Sequence, residues 1–139
     1  MTGVAVHLEG LRRTFGTVHA LDDLDLEIAA GEFIALLGPS GCGKTTALRA
    51  LSGLERIDSG RIVIDGEDVA EVPTNRRDIG MVFQSYSLFP HMTVLENVEF
   101  GLRMRKVEKT ERRLRASESL EMVGLDTFAE RFAHQLSGG

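Results

Sequence analysis

Residues 38–46, "GPSGCGKTT", place Gly38, Gly43, Lys44 and Thr45 in the pattern G-x-x-x-x-G-K-[ST]. The residue types suit one chemistry, the cradling of a polyphosphate. Glycines remove the Cβ atoms that would keep backbone N–H groups from converging on phosphate oxygens. A helix opening near Lys44 brings about half a positive charge to its N-terminus. The Lys44 ammonium is long enough to reach the β- and γ-phosphates of a nucleotide, and the Thr45 hydroxyl suits a Mg²⁺ ligand. Pro39, Ser40, Gly41, Cys42 and Thr46 complete the candidate nucleotide-binding set. Cys42 puts a thiol beside the same helix start and the same lysine, where alkylation is expected to block nucleotide binding.

Such a loop must sit between a strand and a helix. Before it, "EFIALLG" is a continuous apolar run, which predicts a strand covered on both faces. After it, Thr45 to Ser52 reads as a helix with Leu48 and Leu51 on one face and Gly53 as its C-terminal cap. Upstream, "VAVHLEGLRRTFG" and "ALDDLDLEIAAGE" alternate loosely between apolar and polar residues, as half-buried strands do. In the second, Leu24, Leu26 and Ile28 face one way and Asp23, Asp25 and Glu27 the other. "SGRIVIDGEDV" predicts a strand within a hairpin turning at Asp65-Gly66, and "DIGMVFQ" a further buried strand. Beyond Pro90 the spacing becomes helical. Thr93 and Glu96 form a T-x-x-E capping box ahead of Leu95, Val98 and Leu102, and 108–123 carries Ala116, Leu120 and Val123 on one stripe.

Composition narrows the classes. With 139 residues, 42% hydrophobic and 27% charged, the chain has the makings of one soluble globular domain or part of one. Its longest apolar run, Phe33 to Leu37, is far short of the ~20 residues that span a bilayer. The start "MTGVAVHLEG" lacks the basic-then-apolar pattern of a secretory signal, and a single cysteine forms no internal disulfide. A net charge of −5 argues against nucleic acid as the main partner. The basic residues Arg103, Arg105, Lys106, Lys109, Arg112, Arg113 and Arg115 are interrupted by Glu108 and Glu111, the pattern of a solvated helix face.

Three stretches in order carry a more specific likeness: "LLGPSGCGKTTALRALSGLERIDSGRIVIDGEDV", "RRDIGMVFQSYSLFPHMTVLENVEFGL" and "LSGG". Together, over about Val4 to Gly139, they resemble the ATP-binding subunit of an ABC transporter, the importer branch serving polyamines, ferric iron, sulfate or sugars. The resemblance implies an α/β P-loop NTPase fold in three parts. These are an antiparallel β section over 1–30, a P-loop core over 31–84, and a helical section over 85–139. It implies that Phe15, in "RRTFG", stacks on adenine in a place often held by tyrosine. It implies that Gln84 reaches Mg²⁺ and the attacking water, and that residues 85–94, with Tyr86, Leu88 and Phe89, receive the permease. Ser137, Gly138 and Gly139 match the signature loop that touches the γ-phosphate held by a second ATP-binding subunit, so ATP and Mg²⁺ are expected between two such chains. The location implied is cytoplasmic, on the inner face of the membrane through the permease.

Two features of that family have no counterpart in these 139 residues: the aliphatic run ending in Asp-Glu after the signature, and the later switch histidine. "RIVID" mimics the first but precedes Gln84 and enters a turn, so Asp65 is expected to be a hairpin residue. His91 and His134 are expected on the surface. The chain is therefore expected to be a fragment that binds ATP and hydrolyses it poorly alone, with Phe33 to Leu37 left as an unpaired apolar edge. The alternatives are an ABC-type ATPase acting on DNA or the ribosome, or a non-catalytic nucleotide-binding remnant.

Overall fold

The computed structural model describes residues 3–84 and 87–136. The chain divides into two compact units, 1–81 and 82–139.

The first unit is built on the two alternating segments. β1 (Val6–Phe15) and β2 (Val18–Ile28) pair antiparallel, from Val6 opposite Ile28 to Phe15 opposite Val18. Leu24, Leu26 and Ile28 are half-buried while Asp23, Asp25 and Glu27 are exposed, as the alternation requires. Register shifts interrupt the ladder between Leu8 and Thr14. There the Gly10 N–H donates to Asp25 Oδ1 at 2.6 Å. β3 (Ser59–Ile64) lies on the other side of β1, and β4 (Glu67–Asp68) closes the sheet in the order β2-β1-β3-β4. Asp65 and Gly66, both at positive φ, make the two-residue turn between β3 and β4, so Asp65 is a hairpin residue as expected.

α1 (Lys44–Ser52) ends at Gly53, whose φ of 77° and N–H bonds to the last turn make the expected cap. The helix lays Ala47 and Ala50 against Leu8, Leu11, Leu21, Ile62 and Val69, and this cluster is the core of the unit. Leu51 packs on its edge, but Leu48 is 48% exposed and is not part of the buried face. Small alanines rather than leucines let the helix approach the sheet closely.

Two expected strands are absent. Neither "EFIALLG" nor "DIGMVFQ" enters the sheet among the described residues. Phe33, Leu37 and Val82 stand 92%, 90% and 95% exposed. A strand covered on both faces needs neighbours along both edges and layers on both sides. No described strand offers a ladder to either run, so the apolar pattern remains without the structure it anticipates.

In the second unit, α2 (Val94–Met104) starts on the Thr93 capping box, with Thr93 Oγ1 accepting from the Glu96 N–H at 3.2 Å and the Thr93 N–H donating to Glu96 Oε2 at 2.8 Å. α3 (Lys109–Met122) is capped by the Glu108 carboxylate. The two pack through Val94, Leu95, Ala116 and Leu120. Val123, expected on that stripe, lies past the helix end and is 64% exposed.

Candidate nucleotide-binding site

The loop over 38–43 is pressed against β2. A Cβ on Gly43 would collide with the Ala20 carbonyl oxygen and come within 3.3 Å of Leu21 Cδ2, and Gly43 has a φ of 90°. Only glycine fits there. Because Gly43 is also the N-cap of α1, no side chain caps the first turn of the helix. The N–H groups of that turn have no intrahelical acceptors, and the positive end of the helix dipole lies with them.

Lys44 bends back over the same loop. Its Nζ donates to the carbonyls of Gly38 and Pro39, each at 2.7 Å, and lies 3.3 Å from Cys42 Sγ. A Cβ on Gly38 would lie 2.7 Å from that sulfur. The loop thus encloses an ammonium whose donors are spent on neutral acceptors. A phosphate oxygen competes well for them, because charge-assisted hydrogen bonds are roughly twice as strong. Thr45 and Cys42 are exposed and Thr46 is half-buried. A recess of about 580 Å³ opens beside the loop, walled by Cys42, Gly43 and Lys44 on one side and by Asp22, Asp23 and Asp25 on another. The recess is thus basic at the helix start and acidic along β2, so a polyphosphate is suited only to its Gly43–Lys44 end.

Phe15 closes the β1–β2 hairpin opposite Val18, and both are exposed, 44% and 63%. Ala20, on which Gly43 rests, is two residues from Val18, or about 7 Å of strand rise. The aromatic ring and the phosphate loop therefore share one end of the β1–β2 ribbon.

Gln84 is exposed in the second unit. Downstream, Leu88 and Phe89 are 46% and 38% exposed. Their segment is held by Asn97, whose Oδ1 accepts from the Phe89 N–H at 2.8 Å and whose Nδ2 donates to the carbonyls of Phe89, Met92 and Thr93. Phe89 also packs on Phe100, ring centroids 4.5 Å apart. Tyr86 and the signature residues Ser137, Gly138 and Gly139 lie outside the described residues. His91 sits edge-on to Phe89 and His134 stacks on Phe132.

Sequence reasoning missed two arginines. Arg77 is buried at 7% exposure, and its guanidinium donates to the carbonyls of Ala50, Leu51, Ala70 and Val72 at 2.7–2.9 Å. Burial pulls its pKa down, partly opposed by Glu71. The cation sits at the C-terminal end of α1, where the helix dipole is negative, and so secures the helix from the end opposite the loop. Its sequence neighbours Thr74, Asn75, Arg76 and Asp78 are polar or charged, so nothing local announces its burial. Arg13 is the other.

The profile of the family described as "ABC transporter" matches residues 21–139. The chain belongs to the ABC transporter family. It is 58% identical over 134 residues to the spermidine/putrescine import ATP-binding protein PotA of Shigella dysenteriae serotype 1 (strain Sd197). The identity is the same to PotA of Escherichia coli (strain K12). The alignment covers 96% of this chain and 35% of each of those proteins, so the chain spans about a third of their length. Its structure resembles the dimeric bacterial ABC transporter cassette MJ0796 with a TM-score of 0.86 at 35% identity, covering 96% of this chain and 63% of that one. A post-hydrolysis state of MJ0796 bound to ADP and Pi gives 0.84, again at 35% identity, over 95% of this chain and 63% of that one. The ABC cassette fold expected from the motifs is therefore the fold observed.

Proposed function

We propose that this chain binds Mg-ATP at residues 38–46 as part of the energy-coupling subunit of an ABC importer, which drives solute uptake through a partner permease. The observation that carries the reading is the Lys44 ammonium enclosed by the loop carbonyls at an uncapped helix start. Lys44 and the first-turn N–H groups of α1 hold the phosphates, Thr45 meets the metal, and Phe15 stacks on adenine. Among the described residues no cluster of His, Cys, Asp or Glu could hold a metal ion. Mg²⁺ suits such a place, since it takes few protein ligands and completes its shell with phosphate oxygens and water. When bound it neutralises charge on the phosphates. Gln84 would, by the family resemblance, reach that metal and the attacking water.

The remaining roles follow the division at 1–30, 31–84 and 85–139. Residues 85–94 dock the permease, and Ser137, Gly138 and Gly139 contact the nucleotide of a second ATP-binding subunit, as the dimeric cassette relative suggests. Similarity to spermidine/putrescine import proteins supports polyamines as the cargo and a position on the cytoplasmic side of the membrane. No helix among the described residues is long and apolar enough to cross it. Two short helices, of 11 and 14 residues, fill the region where chromosome-maintenance ATPases of this family carry long coiled coils.

Cys42 provides the test. It is exposed and the only cysteine. Mg-ATP should slow its alkylation by a maleimide, and the alkylated chain should no longer bind ATP. Alkylation at one rate with and without saturating Mg-ATP, in a folded sample, contradicts the reading.

A further inference from the structure

The proposed base platform does not stand alone. Arg13, two residues before Phe15 on β1, lays its guanidinium carbon 4.6 Å from the Phe15 ring centroid. The same guanidinium is gripped by two carboxylates, with Nη1 donating to Asp58 Oδ1 at 2.9 Å and Nη2 lying 2.7 Å from Glu55 Oε1. Asp58 Oδ2 accepts from the Thr14 N–H at 2.7 Å, and the Asp58 N–H donates to the Arg12 carbonyl at 2.8 Å. Backbone and side chain next to Phe15 are thus pinned from one residue. Glu55 belongs to the turn that ends α1, where the Leu54 and Glu55 N–H groups both reach the Arg49 carbonyl, at 2.8 and 3.1 Å. A continuous set of contacts therefore runs from the aromatic ring to the helix whose other end carries the phosphate loop.

One further atom argues that this geometry serves the ring. Arg13 Nε is buried with no hydrogen-bond partner among the described residues. A buried orphan donor is costly and calls for an explanation. The guanidinium forgoes that bond while keeping its central carbon over the Phe15 ring, where the attraction of a cation to a ring face compensates.

We infer that Arg13, clamped by Glu55 and Asp58, is a positioning residue that fixes the plane and open face of Phe15 and thereby sets affinity for the adenine base of the nucleotide. The inference rests on the nucleotide reading above. With the cation over one face of the ring, a purine has the other face for stacking. Because the clamp is anchored to the end of α1, the spacing between base platform and phosphate loop is held as well. Removing the clamp frees the ring, and the loss falls on the base and not on the phosphates.

The test compares Mg-ATP with magnesium tripolyphosphate, which has the phosphates and no base, by calorimetric titration of the full chain. Arg13→Ala should weaken ATP about five- to tenfold, within the range that base stacking supplies, and leave tripolyphosphate within about twofold. Arg13→Lys should recover part of the loss. In a Phe15→Ala background the Arg13→Ala change should be silent, since a residue acting through the ring has nothing left to position. Equal losses for both ligands, no loss for either, or full additivity with Phe15→Ala overturns the inference. If Arg13→Ala loses its circular-dichroism signal, Arg13→Gln carries the same comparison, because it keeps a donor for Asp58 and removes the charge. Should the unaltered chain bind neither ligand, the nucleotide reading falls and takes this inference with it. If it binds both and the variants fail the pattern, the inference alone falls.

Discussion

The β1–β3 sheet and the two aliphatic runs at 32–38 and 78–84 are both apolar, and the chain treats them oppositely. In the sheet, Leu11 and Ile62 are 0% and 1% exposed, whereas in the runs Phe33, Leu37 and Val82 are 92%, 90% and 95% exposed. The difference lies in where partners come from. β1 and β2 are joined by Gly16-Thr17, and β3 and β4 by Asp65-Gly66, so each hairpin has one ladder partner next in sequence, and the distant pairing of β1 with β3, Val6 opposite Ile64, joins two ribbons already formed. The continuous runs have the pattern of strands buried on both faces, which need neighbours brought from a distance. An apolar run tells that a segment is meant to be covered, and not what covers it.

Stability measurements can break or sharpen that contrast. Leu11→Ala should cost about 2–5 kcal/mol in urea unfolding of the chain, the usual penalty for emptying a packed core site. Leu37→Ala should stay within about 0.5 kcal/mol, as exposed substitutions do. A large loss at Leu37 would show that the run is packed after all. Arg77→Met should cost about 2–3 kcal/mol, because it strips the donors from carbonyls at the end of α1. It should also weaken Mg-ATP binding, since that helix carries the loop. Thr93→Ala should cost about 1 kcal/mol by removing the cap of α2, with hydrogen exchange rising in 94–104 and unchanged in β1.

The smallest expected effect is on pH dependence. Hydrogen bonds from Arg13, and then from the Thr14 N–H, hold the Asp58 carboxyl below its ordinary range. A depressed carboxylate stabilises the fold above the unfolded pKa of about 4, and the contribution disappears as pH falls through the lower folded value. Asp58→Asn should therefore flatten the acid limb of the stability profile below about pH 4 and leave its shape near neutrality unchanged. An unaltered acid limb would show that the ion pair with Arg13 is not formed in solution.

Local signals were legible in the sequence. The Asp65-Gly66 turn, the Thr93 capping box and the Gly53 helix stop each depend on a few neighbouring residues, and each is found where its spacing put it, while the glycine-lysine pattern has its helix at Lys44 but not the strand expected before it. What could not be read depends on distant contacts. Arg13 meets Glu55 and Asp58 across more than forty residues, and Arg77 reaches back to Ala50 and Leu51. The buried face of α1 was misjudged for a related reason. Hydrophobicity favoured Leu48, whereas closeness to the sheet favoured Ala47 and Ala50.

The central claim is that the loop over 38–45 exists to hold phosphates, with Lys44 as its charge. Calorimetric titration of Mg-ATP into the full chain and into Lys44→Ala tests it most directly. The account predicts saturable one-site binding to the unaltered chain and at least about a tenfold loss in the variant, since a charge-assisted bond is worth about 1.5–3 kcal/mol. Equal affinity in the two folded proteins, or no heat of binding in either, would contradict it.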